Sequence, residues 1–337
     1  MSDSPIPIAV VGAGPCGLAV GIAARRAGLG CALLDRRTVA SAVERYPLNM
    51  HFFSTPERIE LGGIPLVTTR DKPNRAEALV YYRRVADHFA LDVRPGVDVR
   101  VVRRERADGS GGGFLLEGTR PGGHFALRAR DVVIATGYFD WPNRLGVPGE
   151  DLPHVTHYFG EGHPYWRRRV VIVGAGNSAV DAALECWRAG AASVTLVHFG
   201  TELDRGVKPW VLPDIHNRLK EGSIAARWRT RLRAIGAEAV ELHSEETGAV
   251  ERLPADAVLL MTGFHADTAL LESLGVTVDS ETGVPAHDEA TMETPVPGCF
   301  IAGVVASGRD ANRLFIENGR EHGERIVRHL LGRSGAP

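Results

Sequence analysis

Ile8-Ala-Val-Val-Gly12-Ala-Gly14-Pro15-Cys16-Gly17 runs from a short apolar, β-rich stretch into a G-x-G-x-x-G loop. Leu18 to Gly28 then reads as a helix with a glycine stop, and Cys31-Ala-Leu-Leu34 as a second strand. Strand, loop, helix and strand together make a β-α-β unit the size of a mononucleotide-binding half. In such a unit Gly12 allows the tight turn, Gly14 lets a pyrophosphate approach the backbone, and Gly17 lets the helix pack on the strand. Asp35 closes the second strand, where a carboxylate can hold ribose hydroxyls, and the phosphate falls on the N-terminus of the helix.

The pattern returns further on. Val170 to Val173 reads as a strand, Gly174-Ala-Gly176-Asn177-Ser178-Ala179 as a second fingerprint with alanine in the last slot, Ser178 to about Ala189 as a helix and Val194 to Val197 as a strand. That last strand ends at His198-Phe199-Gly200, with no Asp or Glu. A carboxylate there would repel a 2′-phosphate, so its absence favours NADPH over NADH. His198 and Arg205 are the candidate phosphate contacts, with a solvated surface role as the alternative for each.

Val132-Val-Ile-Ala135-Thr136-Gly137 and Val258-Leu-Leu-Met-Thr262-Gly263 are buried-strand runs that close on Thr-Gly, one after each fingerprint. In proteins with two dinucleotide sites such a run returns the chain to the sheet beside the nucleotide. Gly298-Cys-Phe-Ile-Ala-Gly303 resembles the last strand of the first domain of such proteins, with Val304 where an Asp is usual. Val97 to Arg104, Phe114 to Glu117 and Phe125 to Ala129 read as a three-stranded meander, joined by the loop Gly109 to Gly113 and the turn Pro121-Gly-Gly123. Ile224 to Arg229, Ala239 to His243 and Val250 to Leu253 read as a second strand cluster before Asp256 to Met261.

At 337 residues the chain is about twice the usual length of one domain. Its net charge of -2, from 39 basic and 41 acidic residues, provides no field that would recruit nucleic acid or an anionic membrane. Four scattered cysteines, Cys16, Cys31, Cys186 and Cys299, form no C-x-x-C pair, which excludes a disulfide framework or a zinc site and points to reduced thiols in a cytosol. The apolar stretch Ile8 to Ala24 has no basic residue before it and is interrupted by the glycine loop, so it turns rather than serving as a leader or a membrane span.

Beyond the fingerprints, Phe52-Phe53-Ser54, Ala78-Leu-Val-Tyr-Tyr82, Ala135-Thr-Gly-Tyr138, His157-Tyr-Phe159, Glu161-Gly-His-Pro-Tyr165, Lys208-Pro-Trp210, Met292-Glu-Thr294, Phe300-Ile-Ala-Gly-Val304 and Phe315-Ile-Glu-Asn-Gly-Arg320 resemble the bacillithiol disulfide reductase (Bdr) family. The matches run from residue 8 to about 325. The resemblance implies an α/β fold of two Rossmann-like domains of the thioredoxin-reductase-like type, each with a small β-meander. Residues 1–152 with 268–337 would form a discontinuous FAD domain and 153–267 an NADPH domain. It also implies a cytoplasmic homo-oligomer that passes a hydride from NADPH to FAD and electrons on to the disulfide of a low-molecular-weight thiol. His198-Phe199 departs from the family, whose members carry an Arg near the end of that strand.

FAD contacts are then expected at Gly12, Gly14, Pro15, Cys16, Gly17, Asp35, Arg36, Phe52, Phe53, Ser54, Val99, Ala135, Thr136, Gly137, Tyr138, Gly303, Phe315 and Ile316. NADPH contacts are expected at Gly174, Gly176, Asn177, Ser178, Ala179, His198, Arg205, Thr262 and Gly263. The helix beginning near Asn312 or Phe315 would aim its N-terminus at the flavin, with Glu317 either a contact or an ordinary first-turn residue. Cys16 is the one catalytic candidate, and two readings stand open: it relays electrons, or it is a small buried residue and reduced flavin attacks the disulfide directly. His51, His157 and His163 can each supply a proton to a leaving thiolate.

Three rival readings share parts of this pattern. A flavin monooxygenase would carry F-x-G-x-x-x-H, whereas Phe159-Gly-Glu-Gly-His163 has the letters at another spacing. A ferredoxin-NADP reductase of the thioredoxin-reductase type would also lack C-x-x-C, and a redox-sensing dinucleotide-binding protein would show no turnover.

Overall fold

The computed structural model describes residues 4–105, 112–310 and 313–334. Two compact units emerge: one gathers the residues up to Arg45, Met50–Trp141 and those from Phe264 onward, the other Tyr46–Asn49 with Pro142–Gly263. The chain thus passes between units at 141/142 and 263/264, where the domain limits were expected at 152/153 and 267/268. Most of the expected Gly109 to Gly113 loop, and Asn312, lie outside the described residues.

The first unit opens with β1 (Ile6–Val11), α1 (Pro15–Arg26), β2 (Cys31–Asp35), α2 (Ser41–Glu44), α3 (Pro56–Ile59), α4 (Arg75–His88) and β3 (Asp92–Pro95). β4 (Asp98–Glu105), β5 (Gly113–Arg120) and β6 (Gly123–Ile134) follow. These strands make one sheet in the order β3-β2-β1-β6-β5-β4. The two expected runs at 125–129 and 132–137 are therefore not separate: β6 pairs antiparallel with β5 along its first half and parallel with β1 along its second. α4 and β3 escaped the sequence reading. α4 is fixed at its start by a capping box, in which Asn74 Oδ1 accepts from the Glu77 amide (2.9 Å) and Glu77 accepts from the Asn74 amide (2.8 Å). It buries Ala78, Tyr81, Tyr82 and Val85, one stripe at helical spacing.

The second unit contains β7 (Val155–Thr156), β8 (Arg169–Val173), α5 (Asn177–Arg188), β9 (Ser193–Val197), α6 (Leu212–Glu221) and β10 (Ala225–Arg227). β11 (Thr230–Ile235), β12 (Ala239–Ser244), β13 (Val250–Pro254) and β14 (Ala257–Leu260) complete it. β10-β9-β8-β14-β7 form a parallel sheet and β11-β12-β13 a separate antiparallel one. This corrects the expected strand Ile224 to Arg229. Ala225–Arg227 joins the parallel sheet, the chain breaks at Arg229 with φ 49°, and Thr230 begins the true first strand of the meander. Alternation along β8 sends Val170 and Ile172 toward α5, into a core with Ala179, Ala183 and Leu196, and Val171 toward Leu232, Val240 and Leu242 of the meander.

The chain then adds α7 (Ala269–Ser273), β15 (Cys299–Ile301), a 3-10 turn at Gly303–Ser307, α8 (Ile316–Gly319) and α9 (His322–Ser334) to the first unit. β15 pairs parallel with the end of β6, so β1, β2, β6 and β15 all run the same way and end at one edge. That edge is where open α/β sheets place their ligands. Among the described residues no helix is long and apolar enough to cross a membrane.

Candidate functional site

At the strand-end edge of the first unit the glycine loop is braced from every side. Gly12 sits at φ 113°, and a Cβ there would overlap the Ala135 carbonyl, so the loop and the Ala135-Thr136-Gly137 segment approach as only glycine permits. A Cβ at Gly17 would overlap the Gly12 carbonyl, which seats the first turn of α1 on the loop. Gly14 differs: its φ of -73° suits any residue and nothing lies within 4 Å of its Cβ position. It faces open space at the N-terminus of α1, whose first helical residue is Pro15.

Asp35, 8% exposed, holds this loop in shape. Its Oδ2 accepts from the Ala13 amide (2.9 Å), and its Oδ1 from the Arg37 amide (2.9 Å) and the Ser41 hydroxyl (3.3 Å). Arg36 turns aside to Asp140, which Arg45 also pairs. β4 begins beside this carboxylate, since the Val97 amide donates to the Asp35 carbonyl (2.9 Å); Val99 follows, opposite Gly118. Thr136 presents a buried hydroxyl with no hydrogen-bond partner among the described residues. An orphaned donor, an open glycine and a helix N-terminus on one edge are features that a bound dinucleotide would satisfy.

The aromatic candidates separate. Phe52 is buried, whereas Phe53 is exposed with the Lys72 ammonium 5.5 Å from its ring centre, and Ser54 is half-buried. Tyr138 packs edge-on against Phe139 and Phe264, and burial raises its hydroxyl pKa. Gly137 is left-handed, with φ 75°.

Two expected backbone contacts are already engaged within the protein. The Phe315 amide donates to Asn318 Oδ1 (2.7 Å), closing the four-residue α8 ahead of Ile316. The Gly303 amide donates to His322 Nδ1 (3.1 Å). Glu317 pairs with Arg58 (3.3 Å). Sequence reasoning missed His322. It is 5% exposed, and burial, followed by the Arg325 and His287 charges, pulls its pKa down to about 4. No local motif marks it, because its partner stands 19 residues earlier.

Cys16 lies beneath the same turn. A Cβ added to Gly303 or to Gly319 would come within 2.8 Å of its Sγ, so the thiol is enclosed by two glycines. Cys16 is half-buried by accessible surface, and burial pushes its pKa up to about 12, against the lowering that a helix N-terminus would bring. Cys31 is likewise pushed up to about 12, Cys186 to about 12 and Cys299 to about 11, in each case first by burial.

In the second unit Gly174, at φ 132°, packs so closely on the Met261 carbonyl that a side chain would overlap it. Ala179 is fully buried and Ser178 exposed. Asn177 braces the following loop, accepting from the Lys208 amide (2.9 Å) and donating to the Gly206 carbonyl (2.8 Å). Thr262 donates its hydroxyl to the Asn143 carbonyl (2.6 Å), and the Asn143 amide donates to the Gly263 carbonyl (2.9 Å). Asn177 and Thr262 are thus already engaged within the protein.

His198 is 8% exposed, packed on Phe199 with ring centres 4.4 Å apart, and its Nε2 lies 3.6 Å from Asp204 Oδ1. Burial lowers its pKa against the pull of Asp204. Arg205 is exposed. Of the candidate protonating histidines, His51 belongs to the first unit and is exposed, while His157 and His163 belong to the second. His163 is exposed; His157 lies 3.2 Å from Glu150, and burial lowers its pKa.

Known proteins share this fold. The family described as "Pyridine nucleotide-disulphide oxidoreductase" matches residues 9–303. The "Bacilliredoxin reductase Bdr" of Bacillus subtilis (strain 168) is 40% identical over 324 residues, 96% of this chain and 97% of that protein. The solved structure of "Bacillithiol Disulfide Reductase Bdr (YpdA) from Bacillus cereus" is 38% identical, with a TM-score of 0.93 over 98% of this chain and 100% of that one. Its Staphylococcus aureus counterpart is 34% identical, with a TM-score of 0.91 over 98% and 99%. Full-length likeness at these identities, on a chain whose glycine loops and strand ends are built as described, makes this protein a member of the pyridine nucleotide-disulphide oxidoreductase family, in its Bdr branch.

Proposed function

We propose that the chain is an NADPH-dependent flavoprotein that reduces the disulfide of a low-molecular-weight thiol, of the bacillithiol disulfide kind for which the two solved relatives are named. The observation that carries this is the full-length likeness to those enzymes. The net reaction is NADPH + H⁺ + RSSR → NADP⁺ + 2 RSH. A bound FAD would supply a hydride acceptor for the nicotinamide and a two-electron donor for the disulfide. The chain's own part is to hold that group. The open side of Gly14 and the α1 N-terminus would take the pyrophosphate, Asp35 the ribose, and the Thr136 hydroxyl a polar atom of the same ligand.

The enclosed, high-pKa thiol of Cys16 supports a route to the disulfide that uses no protein thiolate. The same conclusion draws on the absence of a second cysteine within usable spacing. A cytoplasmic homo-oligomer belongs to the same proposal. NADPH is the preferred reductant because no acidic residue ends β9.

The name of the B. subtilis relative, a bacilliredoxin reductase, favours a second acceptor, an oxidised bacilliredoxin protein. Following NADPH oxidation by the purified, FAD-loaded protein decides between them. Turnover with bacillithiol disulfide alone supports the first reading. Turnover only when an oxidised bacilliredoxin is added supports the second, and inertness toward both rejects the function.

A further inference from the structure

A cavity of about 220 Å³ opens in the first unit between the Gly303–Ser307 turn, α8 and the start of α9. Its lining includes His287, Ser307, Arg313, Asn318, His322 and Arg325. Two guanidinium groups and two imidazoles face Glu289 as the one acidic lining residue. Arg325 is partly engaged, donating to the Glu289 carbonyl (3.1 Å) and pairing with Glu321 (3.3 Å), while Arg313 is exposed. Asn318 is committed to closing α8, and Ser307 donates to the Val304 carbonyl (2.8 Å).

His322 is the buried wall of this cavity. Because Nδ1 accepts from the Gly303 amide, the neutral ring must carry its proton on Nε2. That N–H has no acceptor among the described residues, and the residue as a whole is 5% exposed. An unpartnered donor on a cavity whose lining also carries two arginines suits an acceptor that comes from outside. The depressed pKa of this imidazole agrees, since burial and, after it, the neighbouring Arg325 both disfavour its protonation.

We propose that this cavity is a binding site for a small anion, an organic carboxylate or a phosphate, held by His322 Nε2–H, Arg313 and Arg325. The volume suits a compact metabolite or a single anionic arm. Such a ligand touches the opposite edge of the ring that pins Gly303, so its binding tightens the turn that encloses Cys16. The proposal stands independently of the acceptor argued above.

Calorimetric titration of the full chain tests it, with FAD and NADP⁺ in excess so that both glycine loops are occupied. Succinate and inorganic phosphate are the probes, and saturable binding by either is expected. Tighter succinate binding assigns an organic acid, and tighter phosphate binding a phosphorylated ligand. Arg313→Gln should weaken binding by roughly tenfold with no change in melting temperature without probe, because its side chain is exposed. Arg325→Gln should weaken it similarly; if that variant loses its fold, Arg313→Gln decides. Failure of both probes to saturate, or unchanged affinity in the folded variants, would overturn the assignment.

Discussion

Asp204 Oδ2 lies 3.1 Å from where a Cβ on Gly176 would stand. The carboxylate therefore covers the residue that, in a dinucleotide fingerprint, is kept bare for a pyrophosphate. It does so at the N-terminus of α5, where a negative side chain is favoured by about 0.5–1 kcal/mol. The same acid lies 3.6 Å from the His198 imidazole.

Asp204→Asn should then lower KM for NADPH by roughly two- to fivefold, since the cofactor no longer displaces an anion from the helix end. Steady-state kinetics on the FAD-loaded enzyme measure it, and an unchanged or higher KM rejects the role. Wild-type flavin bleaching in a stopped-flow instrument should be faster with NADPH than with NADH at matched concentrations; equal rates count against the cofactor assignment.

Gly14 and Gly17 should fail in different ways. Gly14→Val has open space and an ordinary backbone, so the protein should fold, melt nearly normally as apo-protein and retain no flavin. Gly17→Val drives a side chain into the Gly12 carbonyl and should destabilise the fold by about 1–3 kcal/mol or more. Flavin content and thermal melts separate the two; full flavin in Gly14→Val would move the phosphate elsewhere.

Cys16→Ser should reduce disulfide turnover by no more than about twofold to threefold, and native Cys16 should alkylate far more slowly than a free thiol. Loss of turnover by orders of magnitude, with normal flavin bleaching, would instead make this sulfur an electron relay and require the Gly303 turn to open.

His322 sets an acid limit on stability. Its folded pKa of about 4 lies below the ordinary 6.5, so the unfolded chain binds a proton over that interval and the folded one does not. Stability should therefore fall as pH drops from about 6.5 to about 4, by about 3 kcal/mol from this group, and level off below. His157 and His198, also lowered by burial, add slope of the same sign. Urea unfolding across that range should show a shallower loss in a folded His322→Gln variant than in the wild type, and an identical slope would exclude the assignment.

The two glycine loops were legible because their constraints are local: a turn, a close approach and a helix start fall within six residues. The second meander was misplaced because nothing in Ile224 to Arg229 announces the left-handed break at Arg229. α4 escaped notice although Asn74 and Glu77 carry its capping signal. The site divides in the same way. Asp35 could be read from spacing, whereas Asp204 and His322 owe their places to contacts made across the fold.

Cys16, Gly303 and Gly319 come from three distant points of the chain and share one volume. The order in which substitutions can accumulate there is thereby restricted. Shortening residue 16 to alanine removes the sulfur that confronts a Cβ at 319, so an alanine at 319 becomes easier to accept only after that first change. Taken in reverse order, the same pair passes through a clashing intermediate. Evolutionary drift at this corner of the molecule is a path with a direction, set by a single atom.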